Sequence, residues 1–288
     1  MAVKRVLYLC RVHVKELFHT PIFYAYLCLF FVYFFQLNKP AVRLQEEVGI
    51  RFNAWGYTVG VFSSSLSTMV LGLGAVMLFS DLPLFRENAL FESTRCSRNV
   101  WLGGRVLYIV CVSFFYALYM MLMCALTSGG NFDELSKWGK LLNSYANGYA
   151  VDGYSVSIEL TLYGIAHFTP AEAFGLTLLM SALSVTLVGL MMLALSLLFG
   201  RTAALFGGSI IAVLDFLVAE KLAYWIYHLS PLSFSRLSIV CNPDMPYYPT
   251  LTEAFVILLI GSVICILLAV LAVHRHKKFA VQILQEQF

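Results

Sequence analysis

Residues 173–199 read AFGLTLLMSALSVTLVGLMMLALSLLF, a run of 27 residues without one charged side chain. At a rise of 1.5 Å per residue, a helix of that length spans about 40 Å, more than the roughly 30 Å hydrocarbon core of a bilayer. In water such a helix would expose apolar surface on every side, whereas in lipid it needs no polar face. Hydrocarbon offers backbone groups no partners, so a spanning segment must satisfy them internally, as a helix does. The alternation of a membrane β-strand is absent from the run.

Five further blocks share this character: Pro21–Leu37, Tyr57–Phe79, Val106–Leu126, Ala203–Tyr227 and Ala254–Val273. The first is short and the block from Ala203 carries charges; the others are clean. The whole chain is 60% hydrophobic and 12% charged, about half the charge of a typical soluble domain. The expected fold class is therefore an all-α membrane protein, with six transmembrane helices in a single transmembrane domain over residues 1–288. No small-x-small cleavage site follows the first apolar block, so that block reads as a retained span rather than a signal peptide.

Charge orients the spans. With both termini on the cytoplasmic side, the inner segments are the first 20 residues, Ser80–Arg105, Gly200–Thr202 and the tail from His274. They carry 12 of the 19 basic residues and 5 of the 16 acidic ones, a net of +7 inside against −4 outside. Lys and Arg near span ends favour the cytoplasm, which predicts cytoplasmic termini in a multi-pass protein of the cell membrane. The basic balance thus follows from orientation and requires no nucleic acid.

Between the spans lie four distinctive segments. Residues 3–18 place Val6, Cys10, Val14 and Leu17 on one stripe and Lys4, Tyr8, Arg11 and Lys15 on the other. That pattern predicts an amphipathic helix lying in the membrane interface. Residues 38–56 read as a short outer loop. Residues 127–172 form a longer extracellular segment whose Tyr145, Tyr149, Tyr154 and Tyr163 suit the headgroup level. Residues 228–252, with Pro231, Pro243, Pro246 and Pro249, read as irregular outer chain.

The inner loop 81–100 reads DLPLFRENALFESTRCSRNV. Asp81 and Pro83 mark a helix start. Leu84, Phe85 and Phe91 bring apolar surface beside Arg86, Glu87, Glu92 and Arg95, more than a simple return to the membrane needs. The combination points to docking on another protein, with an interfacial helix as the plain alternative.

No nucleotide site is legible. Gly139-Lys140 is followed by Leu141 and preceded at five residues by Glu134, so it is not a P-loop. Gly72-x-Gly74 has Met77 where a third glycine would stand and lies within a span, where small residues serve close helix packing. The seven cysteines show no C-x-x-C spacing, and His274-x-His276 sits in a basic tail. No catalytic residue, metal site or cofactor is expected in this chain.

Two patterns carry more chemistry. Glu46-Glu47-Val48-Gly49-Ile50-Arg51 resembles the E-E-x-x-x-R motif of intramembrane prenyl-protein and bacteriocin-processing proteases. Its companions are missing: Tyr163 and Tyr224 precede His167 and His228 at four residues, and Ala171 and Leu232 follow them. A solvated charge cluster is the expectation. Asp215 lies deep in the fifth block, where an acid costs about 2.5–3.5 kcal/mol to insert. It lines a translocation path, with Glu220 and Lys221, or a subunit seam, or it is a neutral, protonated or hydrogen-bonded acid that fixes helix packing.

Together, the basic amphipathic first helix, the six spans, the loop 80–108 (SDLPLFRENALFESTRCSRNVWLGGRVLY), Leu229-Ser230-Pro231 before the last span and the short basic tail resemble the permease subunits of type-2 ABC exporters. The resemblance implies a cytoplasmic coupling helix in 81–100, with Leu84, Phe85, Arg86, Glu87, Phe91, Glu92 and Arg95 fitting a cleft on a separate ABC ATPase subunit. It also implies ATP and Mg on that partner, a second permease copy or related chain, and export of a hydrophobic or amphipathic substrate. Peptide is favoured, and exporters of the phenol-soluble modulin or bacteriocin kind are one close match. The alternatives are an ATP-independent carrier or scaffold, for which inverted repeats and broken helices would be the signs and none is legible, and an intramembrane protease.

Overall fold

The computed structural model describes residues 2–80, 97–149, 156–219, 224–242, 245 and 247–275. These residues form eleven α-helices joined by turns: α1 (Ala2–Phe18), α2 (Pro21–Val48), α3 (Ala54–Phe62), α4 (Ser65–Leu78), α5 (Arg98–Thr127), α6 (Gly139–Ala146), α7 (Leu162–His167), α8 (Pro170–Phe199), α9 (Arg201–Ala219), α10 (Leu237–Val240) and α11 (Leu251–Arg275). Five of them, α2, α5, α8, α9 and α11, are long and apolar enough to cross a membrane, and the bent pair α3–α4 makes a sixth crossing if taken as one span. The coupling-loop residues Leu84, Phe85, Arg86, Glu87, Phe91, Glu92 and Arg95, like Glu220 and Lys221, lie outside the described residues.

Local chemistry sets the helix ends. Pro170 opens α8 behind a reciprocal Thr169–Glu172 capping box, which satisfies two otherwise orphaned amides. Gly200, at φ 90°, is the single residue between α8 and α9, and that backbone conformation strains a side chain with a Cβ. Thr250 and Glu253 exchange hydrogen bonds at the start of α11.

The first span is longer than its apolar block. The sequence predicts an end at Leu37 and a loop from 38; α2 instead runs through Pro40 to Val48 and stops on Gly49 at φ 70°. Proline is tolerated within membrane helices when neighbours compensate the freed backbone. Beside it the wholly buried Asn38 donates to the Cys124 carbonyl (3.1 Å) and Thr127 Oγ1 (2.8 Å) and accepts from the Tyr57 hydroxyl (2.9 Å).

The long α8 forms the centre of the bundle, with α3, α4, α5, α9 and α11 packed around it. Glycines set the close approaches. A Cβ on Gly72 would meet the Leu232 side chain and the Ala212 backbone of α9, and one on Gly74 would meet Tyr116 and Phe30, so both serve close packing. The far side of α11 exposes Phe255, Leu259, Ile260, Val263, Ile264, Leu267 and Leu271, an apolar face that suits lipid.

Contacts define two ends. At one, Arg98 reaches the Val273 carbonyl (3.2 Å), His274 meets Asn99 (3.0 Å), and Arg201 reaches the Ser80 carbonyl (3.1 Å). At the other, Asn53 pairs with Asn131, and residues 128–149 and 156–168 form a cap over α3. The α3–α4 pair enters at the cap and leaves beside Arg201.

Helix α1 lies against the first half of α5. It buries Leu9, Cys10 and His13, while Lys4, Arg5, Arg11 and Lys15 stay exposed. Gly104 lets Leu9 approach the α5 backbone. His13 packs edge-on to Tyr108, ring centroids 6.0 Å apart. Arg105, itself buried, lies 5.4 Å over the Trp101 ring. Burial, and then the Arg105 charge, holds the His13 pKa down from 6.5 to about 3. His13 is thus neutral in the native chain but protonates when unfolded, so its contribution is complete above pH 6.5 and is lost as pH falls towards about 3. Thermal unfolding across that window should show the native chain losing stability with acid. A His13→Gln chain should lose measurably less.

Candidate functional site

The second apolar block, expected as one continuous span, is broken. Helices α3 and α4 meet at 79°. The cause is the run Ser63-Ser64-Ser65. The Ser63 hydroxyl donates to the Val59 carbonyl (2.9 Å) and the Ser64 hydroxyl to the Val61 carbonyl (2.8 Å). Ser64 also turns extended and caps α4 by accepting from the Ser67 amide. Serine hydroxyls compete with the helical ladder in this way and favour a new N-cap over continuation.

A break inside the bundle leaves the last carbonyls of α3 without helical partners. The Ser63 carbonyl accepts from Arg236 Nε at 2.7 Å and from the Ser238 hydroxyl at 3.2 Å. Arg236 comes from the segment after α9, expected as irregular outer chain. The segment is irregular, with 3₁₀ turns at Tyr224–Leu229 and Ser233–Ser235. It is not surface chain, however: all of residues 230–237 are buried. The Ser184 hydroxyl of α8 holds the Pro231 carbonyl at 2.7 Å, and Leu232 fills the space over Gly72.

Arg236 has two more partners. Its Nη1 lies 3.4 Å and 3.5 Å from the two carboxylate oxygens of Asp215. Its Nη2 donates to Glu159 Oε2 at 2.8 Å. A planar guanidinium spreads its N–H donors over three nitrogens and so reaches three separated acceptors at once, whereas an ammonium gathers its donors on a single nitrogen. The two carboxylates differ in setting. Asp215, on α9, is wholly buried, whereas the Glu159 side chain, in the cap, is 45% exposed. With all three ionised, the cluster carries one excess negative charge.

The cap is seated on α3. Asn53 accepts from the Trp55 and Gly56 amides as the α3 N-cap and donates to the carbonyls of Glu134 and Lys137. Gly56 lets Trp138 and Leu142 rest on the helix, and Gly60 does the same for Ile158 and Leu160. The Glu159 amide donates to the Gly60 carbonyl at 3.0 Å. Ser63, Trp138, Glu159, Thr161, Gly164 and Ser238 line a small crevice against the break, with space for about one water.

Of the sequence-derived path residues, the structure thus places Asp215, as the buried partner of Arg236. Arg236 and Glu159 were missed. Their only sequence signal was that Asp215 needed a cation and that Ser63-Ser64-Ser65 interrupted an apolar block. The expectation that no helix is broken is overturned by that serine run. Glu46 and Glu47 are exposed in the last turn of α2 rather than in a loop. His167, which the protease pattern would need, stacks on Tyr163 with ring centroids 3.9 Å apart. Among the described residues, no three His, Cys, Asp or Glu side chains gather as a metal site would require.

No family profile matches the sequence, and no curated protein matches it either.

Removing one partner of a buried ion pair strands the other, which costs about 3–5 kcal/mol. Arg236→Met should lower the stability of the full chain by that order, measured by thermal unfolding in lipid nanodiscs. Arg236→Lys should restore only part of the loss, because one ammonium cannot reach Ser63, Asp215 and Glu159 together.

Proposed function

We propose that this chain is the transmembrane permease subunit of a type-2 ABC exporter, moving a hydrophobic or amphipathic substrate, with peptide favoured, on ATP hydrolysed by a separate subunit. The observation that carries a transport role is the broken α3–α4 span, with Arg236 and Asp215 buried beside the break. Irregular backbone and ionised groups at membrane depth are costly, and they occur where a path or a moving element needs them. The order of elements supports the ABC assignment, from the basic α1 lying in the interface to the loop 81–100 between the second and third spans.

In this reading both termini are cytoplasmic and the cap over α3 is extracellular. Residues 81–100 hold the coupling helix, whose Phe85, Phe91 and Glu92 contact the ATPase. A second permease copy completes the path, which Asp215, Glu220 and Lys221 border. ATP and Mg reside on the partner.

The broken span also favours a second reading, an ATP-independent carrier, since carriers place their sites at discontinuous helices. Affinity purification from native membranes in mild detergent separates the two. The permease reading expects a stoichiometric P-loop ATPase whose recovery drops when Phe85, Phe91 and Glu92 are changed to Ala. A carrier purifies alone and turns over no ATP.

A further inference from the structure

We infer that Glu159 and Arg236 form the releasable latch of a lid, residues 156–168, that closes over the break between α3 and α4. The lid takes its purpose from the transport reading, but its test needs neither substrate nor ATPase.

Three observations make the segment a lid rather than a fixed part of the bundle. First, its polar fastening is local, and the apolar side chains that rest on the core (Val156, Ile158, Leu160, Ile165 and Phe168) are only partly buried. The Glu159 carboxylate holds Arg236 at 2.8 Å, and the Glu159 amide holds the Gly60 carbonyl at 3.0 Å. Ile158 and Leu160 rest on the bare backbone face of Gly60 without being fully buried. Second, its far end is anchored. The Trp138 indole donates to the Phe168 carbonyl at 2.7 Å, and Thr169 begins the capping box of α8. Motion therefore pivots at Phe168–Thr169. Third, it covers something. The crevice beneath it meets the Ser63 carbonyl region and Ser238, the polar atoms at the break.

The pairing of one guanidinium with two carboxylates explains how such a latch opens. If Glu159 were the sole counter-ion, its departure would strand a buried Arg236. Asp215, wholly buried and 3.4 Å away, stays behind and keeps the guanidinium neutralised. Glu159, already half in solvent, is hydrated when released. Asp215 is thus the permanent counter-ion and Glu159 the exchangeable one. The excess negative charge exists only in the closed state, which itself eases opening.

Hydrogen exchange of the full chain in lipid nanodiscs, read by mass spectrometry, tests this. Glu159→Ala should speed exchange in peptides covering 156–168 by about tenfold or more, the order expected for losing a hydrogen bond to a charged group. Peptides of α8, α9 and α11 should be unchanged. Asp215→Asn should do the opposite, loosening α9 and residues 230–240. The inference fails if Glu159→Ala leaves 156–168 unchanged. It fails equally if that variant loosens α8 and α9 along with the cap, for Glu159 would then be a structural tie and not a latch.

Discussion

A peptide carbonyl that leaves a helix inside hydrocarbon must be given a donor by the protein itself. At the bend between α3 and α4 that carbonyl is Ser63's, buried within the bundle, and the donor is Arg236. Much of the surrounding architecture follows from that one bond. Arg236 brings a charge into the bundle, so it needs Asp215 on α9. It must arrive from a neighbouring segment, so residues 230–237 fold inward between α4, α8 and α9 instead of lying at the surface. Because α3 turns aside at 79°, it needs its own cover, which the cap provides through Trp138 and Leu142 over Gly56 and Ile158 and Leu160 over Gly60. The break, the buried loop and the cap are thus tied together by the carbonyls that end α3: Ser63's accepts from Arg236 and Ser238, and Gly60's accepts from the Glu159 amide.

This arrangement gives the bundle two regions of different character. Around α8 the packing is apolar and close, set by glycines at the crossings. Around Ser63 it is polar, charged and partly hydrated at Glu159. Close apolar packing transmits displacement as rigid-body motion, while a hydrated ion pair can exchange its partner for water. The proposed transport role calls for both, one to carry motion between the faces of the membrane and one to yield. The first end offers the complementary feature, since the basic helix α1 buries Leu9, Cys10 and His13 on the start of α5. The sequence of the adjoining loop 81–100 carries the proposed ATPase contact.

Hydropathy made the membrane class and the rough positions of the spans legible, because 20-residue apolar runs have few other uses. It misplaced the end of α2, because Pro40 and the charges beyond it read as loop, while Asn38 and its partners on α3 and α5 hold the helix together. It also averaged over Ser63-Ser64-Ser65, where two hydroxyls, those of Ser63 and Ser64, barely change mean hydropathy yet bond back to the last carbonyls of α3 and end it. Asp215 stood out on its own, since an acid in an apolar block has to be explained. Its partner did not. Arg236 lies 21 residues on, in a segment whose prolines read as surface chain, and Glu159 lies 77 residues before Arg236. Their convergence is tertiary, set by how the cap and the loop fold onto the break, and no local spacing encodes it.

The central claim is that Arg236 and Asp215 act as one unit at the broken span. A double-mutant cycle with Arg236→Met, Asp215→Leu and the pair combined, followed by thermal unfolding of the full chain in nanodiscs, tests it most directly. The expected result is strong coupling. Each single change is severely destabilising, and the double variant recovers on the order of 1–3 kcal/mol relative to the sum, because no buried charge is then stranded. Additive losses would contradict the account, since they would mean that the two side chains contribute independently.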